Sequence, residues 1–132
     1  MKKLYFITAF IILASTTFGQ SLKKGNKLIA DKNFDGAITH FNKTLSSNST
    51  DPSANFGMAV VYSDSTFNKK DLFKALNYVN VAKVNFAKLD AGTKEKISED
   101  LTESIIDAKY SSIDDQLFSY LKAKKDSALF FK

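Results

Sequence analysis

Four acidic side chains after Gly92 could in principle perform acid–base or metal chemistry: Glu99, Asp100, Glu103 and Asp107. On a helix, residues 99, 103 and 107 would share one face, which is the arrangement that paired general acids or a weak cation site requires. The same spacing is also that of an ordinary solvated helix face. We take the solvated face as the expectation and keep the cation site as its alternative.

Other residues that carry chemistry are few. His40 is the one histidine, and the sequence has no second histidine or cysteine with which it could share a metal, so we expect it on the surface. Cysteine is absent, which excludes disulfides, thiolate metal sites and cysteine nucleophiles. The sequence contains no glycine-rich phosphate loop, serine elbow or HExxH motif. We therefore predict that the protein is not an enzyme and needs no cofactor or metal.

The basic residues argue against nucleic acid as a partner. All 19 are lysines, whereas arginine supplies the bidentate contacts to guanine and phosphate. The net charge of the whole chain is +5 at pH 7. Removal of Lys2 and Lys3 with an N-terminal leader would lower it to +3, which is not strongly basic.

The N-terminus has the organisation of a secretory signal peptide. Lys2 and Lys3 form a positive region, residues 4–14 are an apolar run, and Thr17 and Gly19 are small residues at positions −3 and −1 of a cleavage site. The apolar run is shorter than the roughly 18–20 residues that a membrane-spanning helix needs. We therefore expect cleavage rather than an uncleaved membrane anchor.

This interpretation divides the chain into a signal peptide, residues 1–19, and a mature domain, residues 20–132. The mature protein would be exported to the periplasm or outside the cell, with no membrane insertion after cleavage. A bacterial lipoprotein needs a cysteine at its processed N-terminus, so the absence of cysteine excludes a lipid anchor.

Apolar residues recur at helical spacing along the mature domain. The clearest helix begins at Phe34, preceded by the favourable N-cap Asn33. Loops are predicted at "SSNSTDP", where Asp51 or Ser53 can cap the next helix, and at "SDSTFNKK". Helices are predicted over residues 22–31, 34–45, 54–62, 71–86, about 93–110 with Thr93 as its cap, and from the N-cap Ser112 onward.

These six helices predict an all-α fold of three antiparallel hairpins, and we favour a solenoid over a four-helix bundle. The first hairpin resembles the tetratricopeptide repeat, a helix–turn–helix unit with small, large and aromatic residues at fixed positions. The residues that carry the resemblance are Gly25, Leu28, Phe34, Ala37, Phe41 and Leu45. A second unit, with six residues inserted in its turn, is laid over Phe56, Gly57, Val60, Ala75, Val79 and Ala82. The third hairpin lacks the pattern and is predicted to be degenerate or capping.

The resemblance implies a scaffold that binds a protein or peptide on the concave face of the first helix of each hairpin. The implied groove residues are Asn26, Ile29, Asn55, Met58 and Tyr62. Asn26 and Asn55 match the two asparagines of a subclass that clamps a C-terminal carboxylate. Leu22 occupies the place of its first lysine, so we expect the two asparagines to be solvated or to lie along the sides of their helices.

The sequence therefore predicts a non-enzymatic interaction scaffold of the bacterial cell envelope, with a protein or peptide as its partner. The alternative is an N-terminal accessory or positioning module of a larger exported enzyme or envelope assembly. The apolar run at residues 129–131 keeps that alternative open. It predicts either a segment that folds back as a cap or a fold that continues past Lys132.

Overall fold

In the computed structural model, which describes residues 18–130, every regular element is an α-helix, as predicted. The elements are α1 (Phe18–Ala30), α2 (Phe34–Ser47), α3 (Pro52–Ser63), α4 (Leu72–Ala87), α5 (Ala91–Ile97) and α6 (Glu103–Phe130). The predicted signal peptide lies, as far as residue 17, outside the described residues.

Four helices, α2 to α5, begin directly after a capping side chain. The Asn33 side chain accepts a hydrogen bond from the Gly36 amide (3.0 Å) at the start of α2. Asp51 accepts from the amide of Ala54 (2.7 Å) at the start of α3, and Asp71 caps α4 in the same way. A side-chain oxygen at this position satisfies one of the amides that the first helical turn leaves without a partner. The predicted caps Asn33 and Asp51 are confirmed.

One aromatic ring lies where α1, α2 and α3 meet. The Phe41 side chain of α2 is fully buried. It packs against the backbone at Gly25 of α1 on one side and Gly57 of α3 on the other. A Cβ atom at either glycine would approach the ring to under 3.0 Å, a separation that real Cβ atoms essentially never show. The three helices can therefore approach one another this closely only because both glycines lack a side chain.

Helix α3 is the centre of the fold. It contacts α1, α2, α4 and α6, and ten of its twelve residues are buried. This environment agrees with the sequence of α3, because a helix that is apolar on most faces must be covered by neighbours. Its most extensive contact is with α4, which contributes Ala75, Val79, Ala82 and Phe86 to the core.

The predicted bounds of the third hairpin are wrong. Helix α5 spans seven residues and ends at Ile97, and α6 then runs without interruption from Glu103 to Phe130. The predicted N-cap Ser112 lies inside α6. The predicted N-cap Thr93 lies within α5, where its amide donates to the true cap, Asp90 (2.9 Å).

Helix α6 passes through "SSIDD" because its apolar stripe continues across that segment. Ile106, Ile113 and Leu117 are buried at spacings of seven and four, so the same face packs on α4 throughout. Serine and aspartate are weak helix formers, each costing up to about 0.7 kcal/mol relative to alanine, and they do not break a helix as proline does. Packing of the apolar face therefore overrides the local turn signal.

The chain after α4 returns to the first helices. Helix α5 contacts α1, and α6 contacts both α3 and α4. Ile97 and Leu101, on either side of the turn between α5 and α6, are buried in the same apolar cluster as Leu22 and Met58. A single core thus extends from α1 to α6.

Replacement of Gly57 by alanine tests the packing around Phe41. In an exposed helix this change would stabilise the fold by about 1 kcal/mol. Here the new methyl group would overlap the Phe41 ring, so we expect a net loss of about 1–3 kcal/mol in urea unfolding.

The control is Gly92→Ala in α5, where the nearest atom to a new Cβ is the Asp90 carboxylate at 3.3 Å and the residue is exposed. We expect this change to be close to neutral. Adding Phe41→Leu to Gly57→Ala should cost less than the two single changes together, because the smaller side chain makes room for the methyl group. Additive losses would contradict the overlap.

The buried carboxyl of Asp51 makes the stability of the fold depend on pH. Burial raises the pKa of its carboxyl above the usual 3.8, against the opposing hydrogen bonds from the amides of Ala54 and Ser53. The folded protein therefore holds this proton more tightly than the unfolded chain. The stability that the group contributes is full below pH 3.8 and is lost as the pH rises through the raised value.

We expect Asp51→Asn to be at least as stable as the parent protein at about pH 7, because asparagine keeps the cap without burying a charge. The advantage should shrink at about pH 4, and Asp51→Ala should cost about 1 kcal/mol. Urea unfolding of the three proteins at both pH values measures this. An asparagine variant as unstable as the alanine variant would contradict it.

Candidate partner-binding site

The five predicted groove residues do not line one accessible surface. Asn26 is exposed on α1, whereas Ile29 is buried. Asn55 and Met58 of α3 are 2% and 1% exposed, and Tyr62 is half-buried. Within residues 18–130, an open groove formed by all five side chains is therefore not present. Contact of these residues with a partner stays a prediction.

Asn55 is buried for a structural reason. Its side-chain amide donates to the backbone carbonyls of Asp51 (2.8 Å) and Ser49 (3.0 Å). Those carbonyls belong to the turn that leads into α3, so the side chain holds the turn against the helix. A buried amide with this geometry stabilises the fold and has no free donor directed at a ligand.

Met58 is buried for a different reason. It lies on α3, the helix that four others cover, and belongs to the same apolar cluster as Leu22, Ile97 and Leu101. The last two residues come from the segment that the sequence had assigned to a separate third hairpin. Because that segment packs into the common core, the face of α3 that carries Met58 is covered by the protein itself.

Tyr62 packs towards α4. Its ring stacks on Tyr78 with centroids 5.9 Å apart and planes 7° from parallel, and the ammonium of Lys74 lies 5.2 Å from its centroid. Burial, and then the neighbouring Tyr62, raise the pKa of Tyr78. The ring also approaches Phe67 (5.9 Å). Tyr62 thus joins α3, α4 and the connection between them.

The connection from α3 to α4 is ordered by its own side chains. Phe67 is 5% exposed and packs against Phe34 at the start of α2, with ring centroids 4.9 Å apart. The amide and hydroxyl of Thr66 both donate to the Asp64 carboxylate (2.8 and 2.6 Å). The Thr66 hydroxyl is the main reason that the pKa of Asp64 is lowered. The six inserted residues therefore form a packed turn.

The accessible concave feature lies between α4 and α6. It is an open cleft of about 750 Å³. Leu72 and the buried Leu117 form its apolar floor, and Phe73 and Tyr120 line it as well. Phe73 is 59% exposed and Tyr120 44% exposed. Its remaining lining residues are Lys70, Asp71, Asp115, Gln116 and Ser119.

Two polar contacts join α4 and α6, one of them at the cleft. Lys70, just before α4, donates from its ammonium to the Gln116 amide oxygen of α6 (2.9 Å). At the other end of α4, Lys83 forms an ion pair with Asp107 (2.7 Å), whose carboxylate raises the pKa of Lys83. The two contacts show that α4 and α6 run in opposite directions, with the start of α4 beside the middle of α6. The cleft therefore lies beside the first turn of α4 and combines apolar and polar lining residues.

The residues considered for metal or acid–base chemistry are dispersed. Glu99 and Asp100 precede α6, and Glu103 and Asp107 lie on it, so the four do not share one helix face. In the part of the chain from residue 18 to 130, no group of three or more histidine, cysteine, aspartate or glutamate side chains is placed to hold a metal ion. His40 is half-buried, with Nε2 2.7 Å from the Ser21 carbonyl oxygen, and therefore links α2 to α1.

A scan against protein-family models, a search of curated proteins and a search of solved structures each found no match to this chain. Among the helices described, α1 to α6, none combines the length and the apolar character that crossing a membrane requires.

Neither Phe73 nor Tyr120 was among the site residues predicted from the sequence. One signal could have identified Phe73. The buried stripe of α4 includes Leu72, Ala75 and Val79, and Phe73 lies off that stripe, next to Leu72. Its exposure could therefore have been predicted from the helical spacing, but its place beside α6 could not.

Asn26 and Asn55 provide a matched test of structural and surface roles. We expect Asn55→Ala to lower the free energy of unfolding by about 1–3 kcal/mol, because the buried side-chain amide and its two hydrogen bonds to the Ser49 and Asp51 carbonyls are lost. Asn26→Ala removes the same group from an exposed position and should change stability by less than about 0.5 kcal/mol. Urea unfolding of both variants measures the difference. Equal effects would show that the buried amide is not structural.

Proposed function

We propose that this chain is a non-enzymatic, tetratricopeptide-like scaffold of the bacterial cell envelope that binds a segment of a partner protein in the cleft between α4 and α6. The observation that carries the proposal is the pair Phe73 and Tyr120, two aromatic side chains exposed at an apolar cleft of about 750 Å³. Aromatic residues in concave apolar sites supply much of the binding energy of protein interfaces.

The tetratricopeptide interpretation is supported by the way in which the first helices pack. Gly25, Ala37 and Phe41 are the small, small and aromatic residues of the first unit, and all three are buried at the approach of α1 to α2. Gly57 allows the same close approach on α3. The proposal departs from the family pattern at the binding surface, since α5 and α6 take part in the core where a further hairpin was expected.

The cleft favours a particular kind of ligand. Its floor and aromatic residues suit an apolar or aromatic side chain, and its rim carries one cation, Lys70, and one exposed carboxylate, Asp115. A peptide segment with an apolar residue between polar neighbours matches this arrangement. Export to the envelope, which rests on the N-terminal leader, would place that partner in the periplasm or outside the cell.

The experiment is affinity capture from a cell-envelope extract with the tagged mature protein, followed by affinity measurement with the purified partner. We expect Phe73→Ala and Tyr120→Ala each to weaken binding about ten-fold, because each removes an aromatic contact from the cleft. Circular dichroism and urea unfolding should show both variants folded, since both residues are exposed.

Phe130→Ala is the matched control, because it removes an aromatic side chain that is 87% exposed and lies outside the cleft. Its affinity should equal that of the parent protein. A partner retained equally by all variants would exclude the cleft as the binding site. Bait that retains no stoichiometric partner would favour a role as a positioning module of a larger exported assembly.

A further inference from the structure

The second half of α6 carries apolar residues that the described chain leaves uncovered. From Phe118 to Phe130 every residue is exposed. Phe118 is 69% exposed and Leu121 is 51% exposed. Isolated apolar residues on a surface need no explanation, but apolar residues aligned on one face of a helix indicate a contact surface.

Phe118 and Leu121 belong to a stripe with a charge at each end, made of Asp114, Phe118, Leu121 and Lys125. With 3.6 residues per turn, these four residues fall within an arc of about 60° on α6. The arc is centred about 90° away from the buried face of Ile106, Ile113 and Leu117. The stripe is therefore separate from the face that packs on α4.

The spacing within the stripe is symmetric. Asp114 precedes Phe118 by four residues, Phe118 precedes Leu121 by three, and Leu121 precedes Lys125 by four. Read from either end, the order is charge, apolar, apolar, charge, with the sign of the charge reversed. A surface of this kind is complementary to itself when a second copy is turned around, which is the requirement for an isologous two-fold contact.

We propose that two copies of this chain associate through this stripe, with the α6 helices antiparallel. With the two-fold axis between residues 119 and 120, Asp114 of each copy lies opposite Lys125 of the second copy, and Phe118 lies opposite Leu121. A parallel arrangement would place Asp114 against Asp114 and Lys125 against Lys125, so repulsion between like charges selects the antiparallel one.

The association is compatible with the cleft and independent of it. On the helix, Gln116 and Tyr120 point more than about 120° away from the centre of the stripe, and Leu117 and Asp115 lie about 70–90° from it. A second copy on the stripe therefore meets the side of α6 next to the cleft and leaves Tyr120 accessible. The contact involves about three turns of one helix from each copy, which places it at the low end of interface sizes. We therefore expect a weak dimer whose population rises with protein concentration.

Sedimentation velocity over about 1–100 µM protein tests the association. The parent protein should shift from monomer to dimer. Asp114→Lys places two lysines opposite each other at both ends of the contact, and Lys125→Asp does the same with aspartates. Each single variant should weaken the dimer about ten-fold or more, because two attractions become two repulsions. The four residues are exposed, so the variants should remain folded.

Two further experiments restore the opposite charges across the contact and so test the proposed register. The double variant Asp114→Lys, Lys125→Asp should dimerise like the parent protein. A mixture of the two single variants should form a heterodimer, since lysines in one copy then meet aspartates in the other. Asp126→Lys and Lys124→Asp make the same charge changes about 90° or more from the stripe and should leave the dimer unchanged.

Three results would overturn the proposal. The first is a protein that stays monomeric at every concentration, which would mean that the stripe does not bind a second copy. Another is a dimer that the control changes weaken as much as the stripe changes do. The third is a failure of the mixed single variants to associate. None of these depends on whether a partner binds the cleft, so the two proposals can fail separately.

Discussion

The packing of Phe41 between Gly25 and Gly57 is the constraint on which the first half of the fold depends. A helix normally keeps its neighbours 8–10 Å away because both present side chains at the crossing. Here α2 supplies a large ring, and α1 and α3 supply bare backbone on either side of it. This contact fixes the positions of α1, α2 and α3 relative to one another. It also determines which face of α3 packs against the other two helices.

The rest of the architecture follows from the placement of α3. A helix with ten of twelve residues buried needs cover on all sides, and α1 and α2 provide only part of it. Helix α4 packs on the next face, and the chain after it returns through Ile97 and Leu101 into the same core. The elements that cover α3 occupy the surface on which a concave binding groove was predicted. Residues such as Met58 therefore stabilise the fold, and the open cleft beside α6 is the surface that we propose for recognition.

The sequence predicted the elements that are specified locally. Asn33 and Asp51 could be assigned as caps because a side-chain oxygen before a helical stripe needs only its own backbone as partner. The glycines and Phe41 were recognised through their spacing. The bounds of the third hairpin were predicted wrongly because the choice at "SSIDD" depends on packing against α4, which no local signal reports. For the same reason the cleft, made by residues about 45 positions apart, could not be located from sequence.

A long helix that extends beyond its own domain packs one face against the core, and its remaining faces are left exposed. In α6 the face of Ile106, Ile113 and Leu117 is used by α4. The stripe from Asp114 to Lys125 overlaps the last turn of that packing and extends beyond it. Its two apolar residues are flanked by charged side chains, which limits the size of the exposed apolar surface. Opposite charges three turns apart would favour a single register, because a shift of one residue separates each carboxylate from its lysine. A weak contact specified in this way would pair two scaffolds with their clefts outward, and two weak binding sites held together gain avidity for a partner that presents two segments.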